Sequence, residues 1–187
     1  MPINYMNMKK LTNILIPVLL FSWETVYTQE FPSILPSQIK MFLKSNYPDW
    51  KLADNMKVLN DPILKELGFD STKCHPNLVW GDFNGDSKKD YVLLLEKYDD
   101  NKNKSQLSIG FIQEKVDYKF YVIGQADYPA YLAEYIWISF KGTKLYNFET
   151  DKYFVSKKDG IDFIVSEKSC ETYFFEKNKF ISITTAD

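Results

Sequence analysis

Leu78-Val79-Trp80-Gly81-Asp82-Phe83-Asn84-Gly85-Asp86-Ser87-Lys88-Lys89-Asp90-Tyr91-Val92-Leu93-Leu94-Leu95 is the stretch on which the reading of the fold turns. Both ends are apolar, while Asp82, Asn84, Asp86 and Asp90 place oxygen-bearing side chains at even spacing between them. A tightly wound loop aims alternate residues at one hard cation, so the stretch reads as strand, ion-binding turn, strand. Tyr91 to Leu95 is apolar without alternation, which predicts a central strand covered on both faces.

Calcium takes about six to eight oxygens at roughly 2.3–2.6 Å in a flexible shell. Asp82, Asn84, Asp86 and Asp90 offer side-chain oxygens and Lys88 its backbone carbonyl. Converging aspartates repel one another unless a divalent cation joins them. Magnesium demands a stricter octahedron, and zinc prefers sulfur or imidazole, whereas His75 is the only histidine and precedes the loop. The alternative is a plain hairpin turn, with Asn84-Gly85 supplying positive φ and the aspartates making Asx-turn hydrogen bonds. Such a turn has no need of Asp82, Asp86 and Asp90 together, which favours calcium.

Gly81-Asp82-Phe83-Asn84-Gly85-Asp86, with Asp90 and an apolar strand after it, resembles the calcium loop of FG-GAP or VCBS-type repeats, D-x-N-G-D-G-x-x-D. It is similar to EF-hand loops over the same positions, but Leu93 stands where an EF-hand has its bidentate Glu. The resemblance implies Asp82, Asn84, Asp86 and Asp90 as side-chain ligands and Lys88 as a carbonyl ligand. Two departures accompany it. Ser87 replaces the glycine that suits positive φ, at a cost of about 1 kcal/mol, and the loop occurs once where such repeats recur as propeller blades. No propeller is expected.

Upstream, Ile39, Phe42, Leu43 and Tyr47 fall at helical spacing between Pro36 and Pro48, predicting an amphipathic helix on one face of a sheet. Asp61-Pro62-Ile63-Leu64-Lys65-Glu66-Leu67-Gly68 carries a capping aspartate, a first-turn proline and a terminal glycine, and reads as a second, short helix. Strand-like runs are Leu78 to Phe83, Tyr91 to Tyr98, Gln106 to Lys115, Tyr118 to Gly124, Tyr135 to Phe140, Lys144 to Phe148, Ile161 to Glu167, Glu171 to Glu176 and Phe180 to Thr184. Lys157-Lys158-Asp159-Gly160 and Glu176-Lys177-Asn178-Lys179 read as hairpin connections, and Tyr128 to Glu134 as a short helix or a loop. The expected fold is α+β: N-terminal helices followed by a largely antiparallel β-sheet, a meander with one calcium-loop hairpin.

The chain of 187 residues is 45% hydrophobic and 17% aromatic, enough for one good core. Lys and Arg number 23 against 25 Asp and Glu, and the net charge of -2 leaves no basic surplus for a phosphate backbone, so no nucleic acid is expected. Lys9-Lys10, the apolar run Ile14 to Phe21 and polar Glu24 to Gln29 have the order of a secretory signal peptide, for which Met8 is a more natural start than Met1. The run is short for a bilayer core of about 30 Å and contains Pro17, so no retained transmembrane helix is expected. Cleavage after Thr28 leaves residues 29–187 as one domain, exported to the periplasm or secreted. Its cysteines, Cys74 and Cys170, permit one disulfide or remain as small apolar thiols.

A glycosidase needs two carboxyl groups flanking a cleft, which one ion loop does not supply. Cys74 and His75 are neighbours whose side chains point apart on a strand, so they read as a buried thiol and a surface imidazole. Tyr128, Tyr131, Tyr135 and Trp137 read as core rather than as a platform for sugar or peptide. The expected function is non-catalytic binding by an exported, calcium-binding domain, with a protein or glycan partner in the cell envelope. One rival is an inhibitor or immunity-type protein blocking an envelope enzyme, marked by an exposed acidic or aromatic patch. The other is a polysaccharide or peptidoglycan hydrolase, marked by a deep cleft with a carboxyl pair outside Asp82 to Asp90.

Overall fold

The computed structural model describes residues 31–54, 75–99, 103–129, 134–165 and 169–186. Strand makes up 60% and helix 8% of these, so the expected α+β fold with N-terminal helices is corrected to a mostly antiparallel β architecture with one short helix. The chain runs α1 (Ser37–Asn46), β1 (Lys51–Leu52), β2 (Leu78–Gly81), β3 (Asp90–Asp99), β4 (Asn103–Glu114), β5 (Asp117–Pro129), β6 (Glu134–Ser139), β7 (Lys144–Asn147), β8 (Lys152–Val155), β9 (Gly160–Val165), β10 (Ser169–Glu176) and β11 (Lys179–Ala186). The excess of strand has a simple origin. Polar residues expected in connectors continue the ladders instead, as Asp99 pairs with Asn103 and Ser105 with Asp127. The second expected helix, Asp61 to Gly68, lies outside the described residues, as do residues 1–30 and Cys74.

The expected single meander is divided between sheets. The first has the order β1-β3-β4-β5, with β1 and β2 end to end along one edge of β3: Leu78 faces Leu93 and Lys51 faces Glu96. The second has the order β11-β10-β9-β6, and β7 and β8 form a separate ribbon. Residues 157–160 are therefore a crossing between sheets and not a hairpin connection, because β8 pairs with β7 while β9 pairs with β6 and β10. The β10–β11 hairpin stands as read, with Lys177 at φ 48 and Asn178 at φ 62 in the turn.

Alternation along β3 makes the first sheet a middle layer. Tyr91, Leu93 and Leu95 pack with Ile39 and Leu43 of α1, while Val92 and Leu94 pack with Ile136, Ile161, Phe163 and Phe175 of the second sheet. Tyr91 to Leu95 are all buried, as the apolar run predicts. Phe42 completes the buried stripe of α1, meeting Phe111 edge-on at 5.5 Å. On the opposite face, Gly110 lets the Phe180 ring approach the sheet, since a Cβ there would lie 2.6 Å from that ring. Tyr135 is core as read, and Cys170 is a half-buried free thiol. No helix among the described residues is long and apolar enough to cross a membrane.

Candidate functional site

Asp82 to Lys89 close the β2–β3 hairpin, where Gly81 pairs with Asp90. Asp82 Oδ1 accepts the Gly85 amide at 2.8 Å and Oδ2 the Ser87 amide at 3.0 Å. Asn84 Oδ1 accepts the Asp86 amide and Asp86 Oδ1 the Lys88 amide, both at 2.9 Å. This succession of side-chain-to-backbone bonds winds the loop tightly, with Gly85 at φ 83 and Ser87 at φ 65. Ser87 thus holds the left-handed conformation for which the sequence pattern favours glycine.

Asp90 lies beneath this winding and is fully buried. Its Oδ2 accepts the amides of Phe83 at 2.9 Å and Asn84 at 3.3 Å, and its Oδ1 accepts Gln113 of β4 at 2.8 Å. Burial pushes the carboxyl up to about 6, against the pull of those three amides, and the Asp86 charge adds to the rise. At Asp86, desolvation is the largest single influence and raises the carboxyl, but the Lys88 amide and ammonium and the Asn84 side chain together hold it below the ordinary range. Lys88 Nζ lies 3.3 Å from Asp86 Oδ2. Asp159 ties the loop to the second sheet: Oδ2 accepts the Asp82 amide and Oδ1 the Lys141 amide, both at 2.9 Å.

Asp82, Asn84 and Asp86 supply the oxygen chemistry that a hard divalent ion takes, because a carboxylate oxygen bonded to one amide keeps a second lone pair. Asp90 also turns both of its oxygens to backbone amides. Among the described residues no group of three or more His, Cys, Asp or Glu side chains converges closely enough to hold a metal ion. The five expected ligand residues are therefore brought into one loop, but their acids are not gathered around a common point.

A second constellation lies where β4 and β5 face β6, β9 and β10. A cavity of about 330 Å³ opens there, and its walls include Gln106, Ser108, Glu134, Phe163, Glu171 and Tyr173. The β4–β5 register shifts between Ser108 and Ile109, so Ile123 is a bulged extra residue. Gly124, opposite Ser108, leaves the wall open: a Cβ there would meet nothing within 4 Å. Tyr173 donates its hydroxyl to Glu171 Oε2 at 2.8 Å. The Gln106 amide satisfies both neighbours with its nitrogen 2.6 Å from Glu134 Oε2 and its oxygen 3.3 Å from Lys104 Nζ. Burial pushes Glu134 up to about 7, with Lys104 lowering it and the Glu171 charge adding to the rise. Burial, and after it the bond to Glu171, also raises the Tyr173 phenol.

Sequence reasoning passed over Glu134, Glu171, Lys104 and Asp159. A signal existed for Glu134, which continues the core-facing alternation of Ile136 and Ile138 and so places a carboxyl at an apolar position. Asp159 carried none, since a hairpin aspartate ordinarily bonds its own turn. No protein-family model, no curated protein and no solved structure matches this chain.

Proposed function

We propose that the protein is an exported β-domain with a non-catalytic binding role in the periplasm or outside the cell, toward a protein or glycan of the envelope. Its β2–β3 hairpin is fastened by calcium through Asp82, Asn84, Asp86, the Lys88 carbonyl and Asp90, in a loop of the FG-GAP or VCBS kind. The observation that supports this best is the run of side-chain-to-amide bonds from Asp82 to Lys88 with Ser87 at φ 65, a winding that a two-residue hairpin turn does not require. Ordering this loop has leverage on the rest of the fold, because Asp90 reaches Gln113 of β4 and Asp159 joins Asp82 to Lys141. A second reading, an inhibitor or immunity-type protein, draws on Phe140, Phe148, Tyr153 and Val155, which are exposed on and around the β7–β8 ribbon.

Calorimetric titration with calcium tests the first reading. A saturable single site is expected in the range of roughly 10⁻⁵–10⁻³ M, weaker for magnesium and lost in Asp86→Ala. Absence of calcium binding by the wild-type protein refutes the loop's assignment.

A further inference from the structure

The cleft between the two sheets combines enclosed volume with fixed polar groups on an apolar wall. Its capacity of about 330 Å³ is at the low end of ligand pockets, which run from roughly 300 to 1,000 Å³, so it suits a small molecule. Both of its carboxylates are held in place by neighbours. Tyr173 orients Glu171, and Gln106, itself facing Lys104, orients Glu134. Ile123, Phe163 and Val165 add apolar wall, and Gly124 keeps the space unfilled.

We propose that this cleft binds a small primary amine, with Glu134 and Glu171 as the partners of its ammonium group and the apolar wall against its carbon skeleton. The charge balance selects this class. Two carboxylates repel an anion and attract a cation, and the apolar wall of Ile123, Phe163 and Val165 suits a cation that carries a carbon skeleton. The charged and titratable groups facing Glu134 are Lys104 from β4 and Glu171 and Tyr173 from β10; the lining from β5 and β9 brings none. A second cation offsets what Lys104 alone leaves uncompensated, so binding releases a proton from Glu134 and tightens as pH rises. This goes beyond the binding role toward a protein or glycan proposed above, and it depends neither on that role nor on the calcium loop.

Calorimetry on the protein with cadaverine as the probe and 1,5-pentanediol as its neutral counterpart tests the site. Expected are saturable binding of cadaverine alone, about tenfold weaker at pH 5 than at pH 8, and a loss of about tenfold or more in both Glu134→Gln and Glu171→Gln. Gly124→Leu fills the cleft and abolishes binding. Equal binding of the diol, no binding of cadaverine at millimolar concentration, or undiminished binding in Glu134→Gln and Gly124→Leu with wild-type melting temperatures would overturn the site. Cleavage of a glucosamine trisaccharide by the wild-type protein would instead overturn the non-catalytic role and leave the amine site standing.

Discussion

At Asp159 a single carboxylate joins two sheets, accepting the Asp82 amide with one oxygen and the Lys141 amide with the other. Asp159→Ala leaves both amides without that partner and is expected to cost about 1–3 kcal/mol, read as a lower urea midpoint at unchanged slope. An unshifted midpoint would show that water replaces the carboxylate fully. Asp162 carries a pH signature of its own. Burial pushes its carboxyl up to about 6, with the Thr172 hydroxyl, 2.6 Å away, pulling the other way. The folded state therefore holds the proton better than the unfolded chain, and this contribution, complete below about pH 4, is lost as pH rises through about 6. Asp162→Asn is expected to flatten the fall in melting temperature between pH 4 and pH 8 and to exceed wild type at the upper end. A parallel pH profile in the variant would contradict that assignment. Ser87 was legible beforehand as the costly sixth position of the loop, and its φ of 65 agrees. The role of Asp159 was not legible, because its partners lie 77 and 18 residues away.

Among the elements, β3 was the most readable, since an apolar run without alternation has no polar face to offer water. The helix over Ser37–Asn46 was equally plain from its one stripe. The β7–β8 ribbon was only half visible: Tyr153 and Val155 are exposed, so burial imposes no alternation on β8. The crossing at residues 157–160 resembled a hairpin because the same residue types end a strand whether the next one pairs back or changes sheet. Gly110 has an element-scale role that composition does not reveal, letting Phe180 of β11 lie on the middle sheet. Gly110→Val drives a side chain into that ring and is expected to destabilise by about 1–3 kcal/mol in urea unfolding. Gly124→Ala, with nothing within 4 Å of its Cβ, is the matched control and should stay within about 0.5 kcal/mol.

For the molecule as a whole, the sequence pattern carried the strands but not their partition into two sheets. Alternation states which side chains face inward and is silent on which sheet they meet, so Val92 and Leu94 gave no sign of packing with Ile161 and Phe175. The cleft is a product of that partition. Glu134 and Glu171 belong to strands that flank β9, and only the opposing β4 and β5 turn them into walls of one space. The Asp82–Asp90 loop, by contrast, is confined to a short stretch, with Asp90 and Asp159 linking it to both sheets, and calcium binding there is the central proposal. Thermal unfolding of the protein in calcium and in a chelator, with Asp86→Ala alongside, tests this claim most directly. Calcium at about 100-fold excess over its dissociation constant is expected to stabilise the wild type by about 2.7 kcal/mol and to leave Asp86→Ala unmoved. Identical wild-type melting temperatures in calcium and chelator, with Asp86→Ala equally stable, would contradict it.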